Sequence, residues 1–280
     1  MIDIHSLCYK TDGMSLCNLN FKLPSGVAIG IIGNNRCGKS TLFQLLTEFS
    51  TPESGQILMF GKPIGALREV DKQRIAIIDP QISYFQAQNL SSLCSTLSDI
   101  YLEFDSGAFM NYASLLSLPE RKPTSSYSSD QYAKLSFAIA LSHNVKLLLL
   151  DDAFAALDFE SKHTIFKMLR NFMSSGGSIL FASHNFSDIG ALCDSVALMH
   201  KGRFVFEIST DDIIEKYDIV DVGRDDLELL EKSAVIYTRE TAYHYEALVL
   251  KKAIDHAFLN RRTSFAEITE MLIEYTRNNI

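Results

Sequence analysis

Along the chain, short apolar runs alternate with segments whose apolar positions recur every three to four residues. The runs Val27–Ile32, Gln56–Phe60, Ile75–Asp79, Val145–Asp151, Ser178–Ser183 and Ser195–His200 predict β-strands. After the fourth, Ile165, Leu169 and Phe172 share one face at i, i+4, i+7 spacing and predict a helix, which Gly176-Gly177 ends. Strands alternating with helices predict an α/β fold with a largely parallel sheet.

Residues 83–143 follow a different rhythm. Leu90, Leu93, Leu97 and Ile100, then Ala113, Leu115, Leu116 and Leu118, recur at helical spacing with no strand among them, predicting a helical insertion. From about Thr210 to Ile280 the charge density rises and long strands disappear. That tail is acidic around Asp211–Glu215 and Asp225–Glu231 and carries a terminal helix over Phe265–Asn278. No internal repeat or low-complexity segment interrupts the pattern.

Composition narrows the class. The 280 residues are 47% apolar and 21% charged, with only 14 Gly and 6 Pro, which excludes disorder and collagen-like repeats. A net charge of −8 argues against a general nucleic-acid binder, which needs a basic surface. The longest run without a polar residue, Gly26–Gly33, is far short of the ~20 needed to span a bilayer. The first residues lack a basic segment leading into an apolar core, so no signal peptide and no direct membrane insertion are expected. Five scattered cysteines without a Cys-x-x-Cys pair predict reduced thiols in a cytoplasmic protein.

The chemistry enters at Gly33-Asn34-Asn35-Arg36-Cys37-Gly38-Lys39-Ser40, which fits G-x-x-x-x-G-K-[ST]. A strand leads in and the helical run Thr41–Phe49 leads out. Such a loop turns backbone N–H groups and a helix N-terminus toward phosphates, with Lys39 reaching the β- and γ-phosphates and Ser40 holding Mg²⁺. Downstream, the apolar run Leu147–Leu150 ends in Asp151, where a carboxylate can hold the same ion. A P-loop nucleotide-binding fold with ATP and Mg²⁺ is the expectation.

The order of the remaining motifs carries a resemblance. Gln81 follows a strand, then come the helical insertion, Tyr127-Ser128-Ser129-Asp130-Gln131, Asp151-Asp152, Ala156-Leu157-Asp158 and His184. This resembles the nucleotide-binding subunit of ABC transporters over nearly all of residues 1–207. The resemblance implies an ATPase core over 1–82 and 144–207, a helical subdomain over 83–143 and a C-terminal extension over 208–280. It implies that Asp152, His184 and Gln81 serve hydrolysis, and that Ser40, Gln81 and Asp151 surround the metal. Gly33 to Thr41 would bind ATP, and Ser128, Ser129, Asp130, Gln131 and Asp158 would face a nucleotide across a head-to-tail dimer. The aromatic that stacks on adenine falls at Tyr9, or an ungapped comparison places Thr11 there.

Three departures bear on turnover. Asp152 stands where the family usually has Glu, one methylene shorter, and a misplacement near 1 Å can cost ~100-fold in rate. The signature, usually Leu-Ser-Gly-Gly-Gln, has lost both glycines. Ser129 looks tolerable, since polysaccharide-exporter relatives carry a similar Tyr-Ser-Ser. Asp130 would repel a nucleotide, or simply cap the following helix. Arg36 replaces a frequent Gly at a position the motif leaves free, and Cys37 sits where a helix N-terminus tends to lower a thiol pKa.

Ser98–Asp105 with Phe109, Ile214–Val220 and Phe265–Ile268 look like small bacterial export ATPases of the acetoin-utilisation and phenol-soluble-modulin exporter type. That resemblance implies a separate ABC-2-type transmembrane permease, a homodimer or a heterodimer with a second ATPase subunit, and a peripheral place at the inner face of the membrane. The alternative is a non-hydrolysing ATP-binding subunit that regulates or scaffolds an active partner.

Overall fold

The computed structural model describes residues 1–11, 13–79, 89–230, 234–255, 258 and 261–279. A six-stranded sheet forms its centre, in the order β10 (Arg203–Ser209), β9 (Ser195–His200), β3 (Ala28–Ile32), β8 (Ser178–Ala182), β7 (Leu147–Asp151), β6 (Ile75–Ile78). All neighbours are parallel except β10, which returns antiparallel on β9. Alternate residues of its central strands feed two different cores. Ile29, Ile31, Leu147, Leu149, Leu180 and Ala182 point into one, and Ile32, Leu148, Leu150, Ile179 and Phe181 into the other. Both faces being covered, these strands read as unbroken apolar runs.

The first core is closed by α1 (Lys39–Leu46) and by an antiparallel sheet ordered β2 (Met14–Leu23), β1 (Ile2–Thr11), β4 (Ser54–Met59), β5 (Lys62–Pro63). β1 and β2 escape the periodicity because their alternation breaks. Ser6 and Asn18 have φ of 45° and 52°, and the register shifts between Ile4 and Leu7 and again between Leu7 and Tyr9. Each shift interrupts the period of two on which a strand is recognised. α1 is shorter than the run to Phe49, ending at Leu46 before Glu48 takes φ 58°.

The second core joins the sheet to α3 (Leu90–Ile100), α4 (Ser106–Leu115) and α5 (Ser129–Ala140), which follow the short α2 (Glu69–Lys72) and β6. The helical reading holds over the described part of residues 83–143. Two of its core positions do not: Ile100 and Leu115 are exposed, while Leu90, Leu93, Leu97, Ala113, Leu116 and Leu118 are buried. Asn89, Asp105 and Ser128 cap the three helices by accepting from Ser92 N, Ala108 N and Gln131 N. α6 (Phe159–Ser174) and α7 (Phe186–Leu192) cover the same face, with Ile165 and Leu169 buried and Phe172 partly so.

The C-terminal region is mixed, and it carries strands of six residues each where long strands were expected to disappear. α8 (Thr210–Lys216) leads into β11 (Tyr217–Val222), then come α9 (Arg224–Leu229), β12 (Val235–Glu240), β13 (Tyr245–Leu250) and α10 (Phe265–Asn279). The strands form an antiparallel sheet ordered β11-β13-β12, against which α10 packs while also touching α7 and α8. Charged residues interleave with apolar ones in this sheet, which hides the strands from a periodicity search. They are consumed internally. Arg261 Nη1 donates to Asp221 and Glu246 at 3.1 and 3.2 Å, and Arg239 reaches Glu246 at 2.7 Å and Glu274 at 3.1 Å.

Candidate nucleotide site

The phosphate loop runs from the end of β3 to the start of α1, and its shape requires glycine at both ends. Gly33 has φ 152°, and a Cβ there would collide with the Met199 carbonyl oxygen and lie 2.7 Å from Cys37 Sγ. Gly38, at φ 116°, would bring a Cβ within 2.6 Å of Leu16 and Met14. Arg36 has φ 62°, in the left-handed region glycine enters freely, so an ordinary residue here carries backbone strain. Lys39 is buried, and its Nζ donates to the carbonyls of Gly33 at 2.7 Å and Asn34 at 3.2 Å. The ammonium is thereby held inside the loop it would serve.

Asn35, Arg36, Gly38, Lys39, Ser40, Thr41, Asp151, Asp152 and His184 line one cavity of about 420 Å³. Asp151 ends β7, and burial raises its carboxyl to about 6, the charges of Asp152 and Asp79 adding to the effect. A hydrogen bond with Ser40 and the charge of Lys39 oppose that rise. Hydroxyl and carboxylate oxygens in contact, with excess negative charge around them, are the donor set a hard divalent cation such as Mg²⁺ prefers. The residues present therefore fit the ion.

Asp152 has φ 46°, a left-handed value that Asp tolerates better than most residues. Its Oδ1 accepts from the backbone N of His184 at 3.1 Å, and its Oδ2 lies 3.5 Å from His184 Nε2. Asp152 and His184, both expected to serve hydrolysis, are thus brought together. Gln81 lies outside the described residues.

Other expected positions fall elsewhere. The Tyr9 hydroxyl donates to Ser50 Oγ at 3.2 Å, and Tyr9 does not line the cavity; Thr11, Gly13 and Met14, at the end of the β1–β2 hairpin, do. Of the two positions offered for the adenine-stacking residue, Thr11 lines the cavity and Tyr9 does not. Cys37 does not have the lowered pKa expected of its position, because burial raises it more than Lys39 lowers it.

Ser128, Ser129, Asp130 and Gln131 lie away from this cavity, at the start of α5. Ser128, not Asp130, is the cap, in a reciprocal pair with Gln131: Gln131 N donates to Ser128 Oγ at 3.2 Å and Ser128 N to Gln131 Oε1 at 3.1 Å. Asp130 instead pairs with Lys134 at 2.7 Å, one turn on, while its Oδ1 is buried without a hydrogen-bond partner. The i, i+4 spacing of Asp130 and Lys134 on one helix face is the sequence signal of this pair. Asp158 caps α6 by accepting from Ser161 N at 2.8 Å, which lowers its pKa, and the Lys134 charge contributes to the same shift.

No helix among the described residues is long and apolar enough to cross a membrane. The chain matches the ABC transporter family over residues 16–155. It is 26% identical to a Nod factor export ATP-binding protein I of Cupriavidus pinatubonensis over 85% of this chain and 75% of that one. It is 30% identical to a methionine import ATP-binding protein of Burkholderia lata over 74% of this chain and 64% of the other. Its fold matches cbiO1 from Clostridium perfringens, part of the ABC transporter complex cbiONQ, with a TM-score of 0.62 and 26% identity over 74% of this chain and 88% of that one. With its phosphate loop, Asp151 and His184 gathered on this fold, the chain belongs to the ABC transporter family as an ATP-binding subunit.

Proposed function

We propose that this chain is the motor of an ABC exporter, closing a head-to-tail dimer on Mg-ATP and reopening it by slow hydrolysis to drive a separate ABC-2-type permease. The observation that carries this reading is the convergence of Lys39, Ser40, Asp151, Asp152 and His184 on one cavity. Lys39 would leave the Gly33 and Asn34 carbonyls for the phosphates, while Ser40 and Asp151 would hold Mg²⁺, which offsets charge on the β- and γ-phosphates. Asp152 would orient the attacking water, and His184 would fix that carboxylate and sense the γ-phosphate, with Gln81 at the metal. Residues 1–82 and 144–207 would form the nucleotide core, 83–143 the arm that carries the signature, and 208–280 an added sheet and helix.

The signature segment lies away from the chain's own cavity, which suits contact with a nucleotide held by a second subunit, in a homodimer or a heterodimer. Lys134 offsets the charge of Asp130, which would lessen its repulsion of the nucleotide the segment faces. The assembly would sit at the inner face of the membrane, attached through the permease. The relative named for export supports the exporter reading; the one named for import shares the same core.

A second reading, an ATP-binding subunit that does not hydrolyse, is favoured by one detail: the Asp152 carboxylate already accepts the His184 amide. Steady-state ATP hydrolysis by wild type, Asp152→Glu and Asp152→Asn, beside nucleotide binding, separates the two. The motor reading expects measurable turnover that Asp152→Asn abolishes. Tight binding without turnover in wild type and in Asp152→Glu would overturn it in favour of the second.

A further inference from the structure

We propose that Cys8 and Cys17 form a reversible dithiol–disulfide switch whose state is felt at the nucleotide cavity through the β1–β2 hairpin. The two thiols look unrelated in the sequence, nine residues apart and without a Cys-x-x-Cys pattern. The irregular register of β1 and β2 brings them together. Leu7 pairs with Leu19 and Tyr9 with Leu16, so the single residue Cys8 faces both Cys17 and Asn18. Asn18 takes φ 52°, and its N–H donates to Cys8 Sγ at 3.2 Å.

The sulfur atoms lie 3.7 Å apart. Side chains directly opposite on antiparallel strands have Cβ atoms about 4.5–5.5 Å apart, close to what a disulfide spans, so bringing these sulfurs together calls for side-chain rotation and a small local adjustment at the bulge. Cys17 is exposed and Cys8 partly so, whereas Cys37, Cys94 and Cys193 are buried. The Asn18 amide, followed by the Cys17 thiol, lowers the Cys8 pKa, while burial raises those of Cys37 and Cys193. Accessible thiolate character thus concentrates at Cys8.

The oxidant this pair suits is a small-molecule disulfide. The Cys8 thiolate attacks one sulfur of that disulfide, forming a mixed disulfide and expelling the other half as a thiolate. The Cys17 thiolate then attacks Cys8 Sγ, forming the Cys8–Cys17 bond and expelling the second half. Two protein thiols are oxidised and one small disulfide is reduced to two thiols, with the two protein protons passing to them. Dithiol reductants reverse the sequence.

The link to the nucleotide site is short. Leu16, beside Cys17, packs with Met14 against Gly38 of the phosphate loop, and Thr11, Gly13 and Met14 line the cavity. A cross-link at Cys8–Cys17 removes the freedom of β1 and β2 to slide at their bulge, and so fixes the hairpin end against the loop.

The test equilibrates the full chain in buffers of reduced and oxidised glutathione, traps free thiols by alkylation, and reads the intact mass and the linked peptides. Mg-ATP affinity is measured on the reduced and oxidised forms, with Cys8→Ser and Cys17→Ser as controls. The wild type is expected to lose two hydrogens reversibly through a Cys8–Cys17 link. Its two forms should differ in affinity by about fivefold or more, and each serine variant should hold one affinity in both buffers. Cys8 and Cys17 both remaining alkylatable in oxidised glutathione would overturn the proposal. So would a disulfide that forms and leaves the affinity unchanged.

Discussion

The phosphate loop and the segment Tyr127–Gln131 hold their shape by different means. The loop works through its backbone: Gly33 and Gly38 occupy positions where a Cβ would collide. Tyr127–Gln131 has neither glycine of the family's usual signature and is held by side chains instead, with Asp130 paired to Lys134 and Ser128 locked to Gln131. Backbone devices tolerate substitution at their free positions, whereas a charge pair fails when either partner changes.

The largest expected effect falls on the loop. Lys39→Ala removes a charge-assisted contact of about 1.5–3 kcal/mol, so ATP affinity should drop roughly 10- to 100-fold by calorimetry. Unchanged affinity would mean that Lys39 stays with the loop carbonyls when nucleotide binds.

Much of the loop was legible because the motif, the strand before it and the helix after it are local in sequence. The helix after Ser128 was legible too, but not which residue answers Asp130: Lys134, its partner on the same helix face, stands out only once the helix is in view. Tyr9 and Thr11 could not be separated because a bulge resets the register of β1. The C-terminal strands were hidden by charges such as Asp221 and Arg239, whose partners Arg261 and Glu274 come from distant segments. Local periodicity reports which face a residue takes in one element, not which residue neutralises it from another.

The junction that carries the signature arm offers the next test. His143, between α5 and β7, stacks on Tyr101 at 4.2 Å, and burial lowers its pKa to about 4. The unfolded chain takes up that proton near pH 6.5, before the folded chain does. Stability is therefore full above that pH and lost as pH falls toward 4, by about 2 kcal/mol at pH 4.5. Denaturant melts of wild type and His143→Gln across this range should converge on acidification. Parallel curves would show that His143 titrates normally.

Lys134→Met should expose the Asp130 charge and slow ATP turnover, and adding Asp130→Gly should restore it, with a coupling of about 1–2 kcal/mol from the four rates. Additive effects would break the pairing argument. Ser128→Ala should cost about 1 kcal/mol of stability through loss of the cap, without the rescue that Asp130→Gly gives. The smallest effect is expected at Arg36→Gly, a stabilisation of about 0.5 kcal/mol from relief of its left-handed backbone, visible as a slightly higher Tm with ATP affinity kept.

The most direct test of the account is a single-turnover experiment, with protein in excess over labelled Mg-ATP. It follows bound nucleotide and released phosphate together in wild type and Asp152→Asn. Complete binding is expected in both, with slow conversion to ADP in wild type and none in Asp152→Asn. Failure of the wild type to retain ATP, or conversion at the same rate in both chains, would contradict it.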